Sequence, residues 1–157
     1  MRIDREDFEE AVRKYSDAML RCAYAYCQST ADAEDIVQKA FVKYLETSPN
    51  FKNEDHRRAW LLRVVINLSK NHLNSFWNRN RCELDETLPD NNNPAESSEI
   101  WLAVRQLPPK YRIVIELYYR EGFTIEEIAG ITKAKRSTIG DRLKKAKELL
   151  REIYKEE

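Results

Sequence analysis

Apolar residues recur at steps of three and four along most of the chain, the spacing that places them on one face of an α-helix. The first run predicts a helix from about Asp4 to about Cys27, and the second predicts a helix between Ser29 and Pro49. Asp4 and Ser29 are predicted N-caps, because an Asp follows each of them three positions later. The residues that carry this apolar period are Phe8, Val12, Tyr15, Met19, Cys22, Tyr26, Ile36, Val37, Ala40, Phe41, Tyr44 and Leu45.

A third helix is predicted after the polar connector "PNFKNEDHR", with Asp55 as its N-cap. Its predicted inward residues are Leu62, Val65, Ile66, Ser69, Leu73 and Phe76. The opposite face combines cations, amides and one aromatic ring, namely Trp60, Arg63, Asn67, Lys70 and Asn74. Such a face is either simply solvated or a nucleic-acid surface, since cations bind phosphates while rings and amides contact bases.

The stretch "NRNRCELDETLPDNNNPAES" has little apolar periodicity and is predicted to be a flexible acidic linker. It divides the chain into two small helical domains, 1–78 and 95–157, joined by residues 79–94. The second domain should begin with a short helix that ends at Pro108, followed by a helix from Pro109 to Gly122. The first of these helices is predicted from the apolar residues Ile100, Trp101, Val104 and Leu107. In the second, Tyr111, Val114, Ile115 and Tyr118 are predicted to be buried.

A short helix, a turn and a long basic helix are predicted at the end of the chain. Thr124 and Glu127 form a capping box, and the turn lies near 132–135. The inward residues of the last helix are Ile139, Leu143, Ala146, Leu150 and Ile153. This order is typical of a helix-turn-helix, whose second helix reaches base edges in the major groove, although a plain helical hairpin is the alternative. Gly140 and Asp141 fit poorly, because glycine weakens a helix and phosphates repel a carboxylate.

Composition and charge agree with an all-α protein that contacts nucleic acid. The 157 residues include only three glycines and five prolines, and 34% of them are charged. The net charge is zero, but residues 56–82 contain no acid, 83–99 contain six acids and no base, and 133–147 contain seven bases and one acid. Either basic block alone could be a solvated face, whereas two blocks separated by an acidic linker favour a polyanionic partner.

Other classes of protein are less well supported. No apolar run approaches membrane-spanning length, and "MRIDREDFEE" is too acidic for a signal peptide, so we expect a cytoplasmic protein. Cysteines at 22, 27 and 82 lack metal-ligand or disulfide spacing and are expected to be buried thiols. His56 and His72 lie far apart, and no glycine-rich phosphate loop occurs. We therefore predict no enzyme activity, no metal, no cofactor and no small-molecule substrate.

Four motifs in order carry a resemblance to a known family: "ADAEDIVQKAFVKYLE", "FKNEDHRRAWLLRVVINLSKNHL", "LPPKYRIVIELYYREGFTIEEIA" and "STIGDRLKKAKELLRE". Together they resemble the extracytoplasmic-function group of the sigma-seventy family of bacterial RNA polymerase sigma factors. The resemblance spans almost the whole chain. It implies a non-catalytic protein that binds core RNA polymerase, directs it to promoters and helps to open the duplex.

The resemblance also implies three binding surfaces. The second helix would bind the clamp helices of the polymerase's largest subunit, and the matching residues are Asp35, Gln38, Phe41, Val42 and Leu45. The connector and the third helix would hold the downstream promoter element as single-stranded DNA. The residues predicted for that role are Phe51, Lys52, Asn53, Trp60, Arg63, Asn67, Lys70, Asn71 and Asn74. The last helix would read the upstream element as duplex DNA through Lys135, Arg136, Ser137, Thr138, Arg142 and Lys145.

The resemblance implies further partners, and one rival function stays open beside it. Relatives also contact the flap of polymerase, and they are commonly held inactive by an anti-sigma protein. The rival function is a helix-turn-helix regulator that binds operator DNA without polymerase. It would leave the acidic face of "DAEDIVQ" without a role. Phe41 also has a plainer interpretation, as part of the core.

Overall fold

The computed structural model describes residues 3–79 and 99–155, and in these two segments it contains helices and turns but no strand. The α-helices are α1 (Arg5–Cys27), α2 (Thr30–Thr47), α3 (Glu54–Arg79), α4 (Glu99–Val104), α5 (Pro109–Ile115), α6 (Ile125–Thr132) and α7 (Arg136–Lys155). One turn of π-helix, π1 (Glu116–Arg120), continues α5. The predicted all-α fold is confirmed. The predicted linker, apart from Arg79, and the side chain of Phe76 lie outside the described residues.

The first three helices pack against one another around a common core. Met19 and Cys22 of α1, Ile36 and Ala40 of α2 and Leu62 of α3 are all at most 2% exposed. Full burial of a large aliphatic side chain stabilises the folded state by about 1.5–3 kcal/mol, so the apolar stripes hold these helices together. Leu45 continues the apolar period of α2 but is 45% exposed, and it is also one of the residues predicted to bind polymerase.

The N-termini of these helices are only partly as predicted. Ser29 caps α2, and its Oγ accepts a hydrogen bond from the Asp32 amide at 3.2 Å. Asp4 occupies the N-cap position of α1 but makes no side-chain cap hydrogen bond. Asp55 does not cap α3, because the helix begins one residue earlier and the Asn53 Oδ1 accepts from the His56 amide at 2.8 Å.

The π-helical turn changes the register of the helix that follows Pro109. The Glu121 amide donates to the carbonyl oxygen of Glu116 at 3.1 Å, five residues back, which widens the turn relative to an α-helix. Leu117 is therefore fully buried, while Tyr118, predicted to be inward, is 37% exposed. In α4, Ile100 is 43% exposed although it belongs to the apolar pattern that predicted the helix.

The predicted short helix, turn and long helix are present at the end of the chain. Thr124 and Glu127 form both hydrogen bonds of the capping box at 3.1 Å. Lys133 ends α6 in the left-handed conformation, with a φ of 57°. Helix α7 then packs back on α5 and α6 through Ile139, Leu143 and Ala146, all at most 4% exposed. The role of this unit in reading DNA stays a prediction.

The two halves of the chain pack directly against each other, with α1 on α5 and α3 on α6. Arg112 of α5 is 8% exposed and donates to the carbonyl oxygens of Ala25 and Tyr26, at the C-terminal end of α1. The last four carbonyls of an α-helix have no partner within it, so Arg112 caps α1 from the other half. The buried hydrophobic residues of the two halves form one continuous cluster. The predicted boundaries of the two domains stay predictions.

Candidate polymerase and nucleic-acid interfaces

Four of the five residues predicted to bind polymerase lie exposed along one side of α2. We call Asp35, Gln38, Val42 and Leu45 the α2 surface. Val42 is 51% exposed and Leu45 is 45% exposed, which is unusual for adjacent large apolar residues on a helix. Asp35 pairs with Lys39 at 3.0 Å on the exposed side of the helix. The surface thus combines a small apolar patch with polar groups at its edge.

Phe41 does not join the α2 surface. It is 8% exposed, and its ring meets that of Phe8 edge to face, with the ring centroids 5.7 Å apart. The core interpretation of Phe41 is therefore correct in this structure. The apolar part of the α2 surface comes from Val42 and Leu45 instead.

The connector between α2 and α3 borders an open cavity of about 560 Å³. The ring of Phe51 is half-buried and stacks on Tyr44, with 6.1 Å between the ring centroids and 6° between the planes. It also contacts the ring of Trp60 at 5.9 Å. Lys52 and Asn53 are exposed beside it. The connector therefore places the Phe51 ring beside the Asn53 amide, and an aromatic ring and an amide are groups that can bind an unstacked base.

The outward side of α3 is only partly open to solvent. We call Trp60, Arg63, Asn67, Lys70, Asn71 and Asn74 the α3 face. Arg63, Asn71 and Asn74 are exposed, while the other three are half-buried. Arg63 Nη2 donates to the carbonyl oxygen of Gly130 at 2.8 Å, and Lys70 Nζ donates to that of Thr132 at 3.2 Å. Both cations therefore contact the C-terminal end of α6.

The residues predicted to read duplex DNA lie just before α7 and along its first half. We call Lys135, Arg136, Ser137, Thr138, Arg142 and Lys145 the α7 face. Thr138 and Arg142 are half-buried and the other four are exposed. Burial, together with the nearby charges of Arg142 and Lys133, lowers the pKa of Lys70.

An ion-pair cluster between the two halves was not predicted. We call the contacts of Glu121 with Arg21 and Arg58 the latch. The Glu121 carboxylate lies 2.8 Å from Arg21 Nη2 and 3.0 Å from Arg58 Nη2, and only 6% of its side chain is exposed. No periodicity signals such a cluster, because its members lie 63 and 100 positions apart along the chain.

A second missed network links α1 to the start of α3. Arg57 is 7% exposed and lies 2.8 Å from Glu54, whose Oε2 also accepts a hydrogen bond from Tyr15 Oη. Burial opposes the charge of Arg57, but hydrogen bonds to Tyr44 and Glu54 outweigh it and raise its pKa. The i,i+3 spacing of Glu54 and Arg57 signals their ion pair, but nothing local in the sequence signals the contact with Tyr15.

Other kinds of site find no support in the parts of the chain that the structure describes. Within 3–79 and 99–155, no three His, Cys, Asp or Glu side chains form a group that could hold a metal ion. None of the helices in those ranges combines the length and apolar character needed to cross a membrane. Cys22 and Cys27 are free thiols, and burial raises the pKa of Cys27 to about 11, which disfavours the reactive thiolate.

Comparison with known proteins gives the same family for both halves. Residues 11–79 match the family model for Sigma-70 region 2, and residues 97–150 match that for Sigma-70, region 4. The chain is 26% identical to the RNA polymerase sigma-H factor of Pseudomonas aeruginosa, over 94% of this chain and 86% of that protein. It is 28% identical to the ECF RNA polymerase sigma factor SigE of Mycolicibacterium smegmatis, over 92% of this chain and 60% of that protein.

A solved structure has a similar fold. The sigma factor RpoE of Bartonella quintana, crystallised with the anti-sigma factor NepR, superposes with a TM-score of 0.76 at 22% identity. The match covers 96% of this chain and 98% of that one. The two region matches occur in the expected order, and the relatives align over most of the chain. Both findings indicate the same family, and the similar fold is consistent with it. The chain belongs to the sigma-70 family of sigma factors, which direct RNA polymerase to promoters, and it is similar to members of the extracytoplasmic-function group of that family.

Proposed function

We propose that the α2 surface is the docking site for core RNA polymerase, on the clamp helices of its largest subunit. The observation that carries this proposal is the exposure of Val42 and Leu45 on the same side of α2 as Asp35 and Gln38. Anchors in protein interfaces are typically apolar groups in the centre of a polar rim. Asp35 lies at one end of the patch and can pair with a cation of the partner.

DNA binding is divided between two surfaces in this proposal. The connector and the α3 face hold the downstream element as a single strand, because they combine the Phe51 and Trp60 rings with exposed amides and cations. The α7 face reads the upstream element as duplex, because its cations precede and begin a long helix. The protein catalyses no reaction, and its binding free energy selects the promoter and stabilises the open strand.

We further propose that an anti-sigma protein binds this chain in the cytoplasm. The sigma factor CnrH, which shares the fold with a TM-score of 0.69, was solved with the cytosolic domain of CnrY, and RpoE was solved with NepR. The exposed apolar residues of the α2 surface are suited to such a partner as well as to polymerase. The two partners would then compete for one surface.

Transcription with purified components tests the function. Run-off transcription with core RNA polymerase on a library of genomic fragments is expected to give new, sequence-specific transcripts only when this protein is added. The transcripts would identify both promoter elements. Absence of transcripts, together with specific DNA binding by the protein alone, would instead indicate the polymerase-independent regulator.

A further inference from the structure

We propose that two carboxylates near the start of α1, those of Asp4 and Asp7, make the cavity beside the connector selective for a base that carries an exocyclic amine. Cytosine, adenine and guanine have such an amine, whereas thymine carries carbonyl oxygens and a methyl group instead. The inference rests on the proposed role of the connector in binding single-stranded DNA. It goes further by naming the feature of the base that the cavity recognises and the residues that recognise it.

The cavity is lined by two segments that are far apart in the sequence. Phe51 and Asn53 belong to the connector, while Ile3, Asp4 and Asp7 lie at or near the start of α1. The match to Sigma-70 region 2 begins at residue 11, so the α1 segment precedes the matched region. Its contribution to the cavity therefore has to be inferred from the chemistry of its own residues.

The lining of the cavity carries an excess of negative charge. Its charged residues are three acids and one base, namely Asp4, Asp7, Glu54 and Arg57. Arg57 pairs with Glu54 at 2.8 Å, which leaves two carboxylates in excess. These carboxylates repel phosphate groups, so the DNA backbone stays outside the cavity, where Lys52 is exposed. A neutral base is the part of the strand that can enter.

Asp4 and Asp7 supply hydrogen-bond acceptors and no donor, because an ionised carboxylate carries no proton. Asp4 occupies the N-cap position of α1, but its side chain makes no cap hydrogen bond, so its oxygens are not committed to the end of the helix. An exocyclic amine directs N–H donors at such oxygens. A carbonyl oxygen of thymine would instead place one acceptor against another, which disfavours thymine in the cavity.

The side-chain amide of Asn53 supplies a donor. Its Oδ1 accepts a hydrogen bond from the His56 backbone amide at 2.8 Å. Because only the oxygen of a side-chain amide accepts from an N–H group, this contact fixes the orientation of the amide and leaves its Nδ2 group to donate. Cytosine, adenine and guanine each carry an acceptor nitrogen next to the carbon that bears the amine. They can therefore match the carboxylates and the Asn53 amide together.

The first test measures binding of the full chain to fluorescein-labelled single-stranded thymine octamers by fluorescence anisotropy. One octamer carries adenine at a central position, and another carries purine there, which differs from adenine only in lacking the amine. Wild-type protein is expected to bind the adenine octamer about tenfold more tightly, because only adenine donates a hydrogen bond to a carboxylate. Equal affinity for the two octamers would overturn the proposal.

A double variant, Asp4→Asn with Asp7→Asn, tests the two carboxylates directly. Asparagine is as good an N-cap as aspartate, so α1 should stay folded. The control combines Glu9→Gln with Asp17→Asn, which also removes two negative charges from exposed positions of α1 but leaves the lining of the cavity intact.

The quantity to compare is the ratio of the affinities for the adenine and purine octamers, because any general gain from losing negative charge cancels in it. This ratio should fall to about threefold or less in the cavity variant, since a neutral acceptor forms a weaker hydrogen bond, and should stay near about tenfold in the control. The same ratio in both proteins would contradict the role of Asp4 and Asp7.

Transcription by the holoenzyme covers the case in which the octamers bind too weakly to compare. In a promoter obtained by run-off transcription, each position of the downstream element is replaced in turn by thymine. With the wild type, thymine at the position that enters the cavity should reduce transcription about tenfold, and the cavity variant should lose much less than the control.

The holoenzyme experiment also separates this inference from the function. A loss of equal size in the cavity variant and the control, or no position with such a loss, would overturn the selectivity and leave the sigma function standing. Wild-type protein that yields no promoter-specific transcript with core polymerase would contradict the proposed function itself.

Discussion

The guanidinium of Arg112 is held against the C-terminal end of α1, where its Nη2 donates to the carbonyl oxygen of Tyr26 at 3.0 Å. Its Nη1 donates to the Leu107 carbonyl at 2.5 Å, and its Nε donates to that of Ala25. One planar group thus satisfies carbonyls from both halves of the protein. An ammonium group cannot reproduce this fan of donors, because its three protons radiate from a single atom.

Arg112→Lys is therefore expected to destabilise the protein although it keeps the charge. Buried carbonyls left without donors cost about 1–3 kcal/mol each, so we expect a loss of at least about 2 kcal/mol in the free energy of unfolding. Urea denaturation followed by circular dichroism measures it. Arg13→Lys on the exposed side of α1 is the control and should change stability by less than about 0.5 kcal/mol. Equal stability of the two variants would contradict the capping role.

Asp35→Arg is expected to weaken binding to core polymerase without unfolding the chain. Asp35 is exposed, and its only ion pair in the described structure is the surface contact with Lys39, which contributes little to stability. Truncating or reversing a charge paired across an interface typically costs 2 kcal/mol or more, about thirtyfold in Kd. Surface plasmon resonance with immobilised core enzyme measures this change. Asp17→Arg on exposed α1 reverses the same charge away from the α2 surface, and an equal loss in both variants would contradict the proposed docking site.

Gly140→Ala is expected to stabilise the protein by about 1 kcal/mol. Gly140 lies inside α7, and a Cβ placed there would meet nothing within 4 Å, so the helix gains propensity without a clash. Gly122→Ala is the opposite case, because Gly122 has a φ of 78° that alanine adopts only with strain. Thermal unfolding of the two variants should move the midpoint in opposite directions.

Thr124→Ala is expected to cost about 1 kcal/mol, because it removes the side-chain acceptor of the capping box. The loss should be confined to the start of α6, with native-state hydrogen exchange faster at the Glu127 amide than in wild type. Thr47→Ala at the exposed end of α2 is the matched change and should leave that amide protected. Unchanged exchange at Glu127 would show that the cap does not protect α6.

Acid should weaken the Tyr15–Glu54–Arg57 network. A hydrogen bond from Tyr15, reinforced by Arg57, lowers the pKa of the Glu54 carboxyl below its ordinary value of 4.5. A carboxyl whose pKa is depressed on folding contributes stability above pH about 4.5, and this contribution is lost as the pH falls through the folded value. Glu54 is more than half exposed, so the effect is small. Urea unfolding at pH 7 and pH 3.5 should show a smaller acid-induced loss in Glu54→Gln than in wild type.

Local patterns predicted the helices well. The ranges of α1 and α2, the Ser29 cap and the Thr124–Glu127 capping box depend on residues within a few positions of one another, and the structure has them as predicted. The departures occurred where the local pattern does not determine which side of a helix is buried. The π-helical turn rotates Tyr118 to the surface, and Leu45 is exposed although it continues the apolar period of α2.

Contacts between the halves could not be predicted, because they join residues far apart in the sequence. The family resemblance selected Asp35 and Gln38, which lie about one helical turn apart, and both are exposed. The partners of Arg63 and Lys70 did not, since backbone carbonyls carry no sequence signature. A basic face on a helix therefore indicates its chemistry but not what occupies it.

The capping of helix ends across the two halves affects how the protein can be dissected. A fragment ending at Arg79 would retain α1 but lose Arg112, and a fragment starting at Glu99 would retain α6 but lose Arg63 and Lys70. Each fragment would expose bare carbonyls and part of an apolar surface that the intact chain covers. Studies of isolated fragments would thus underestimate the stability that each half has in the intact chain.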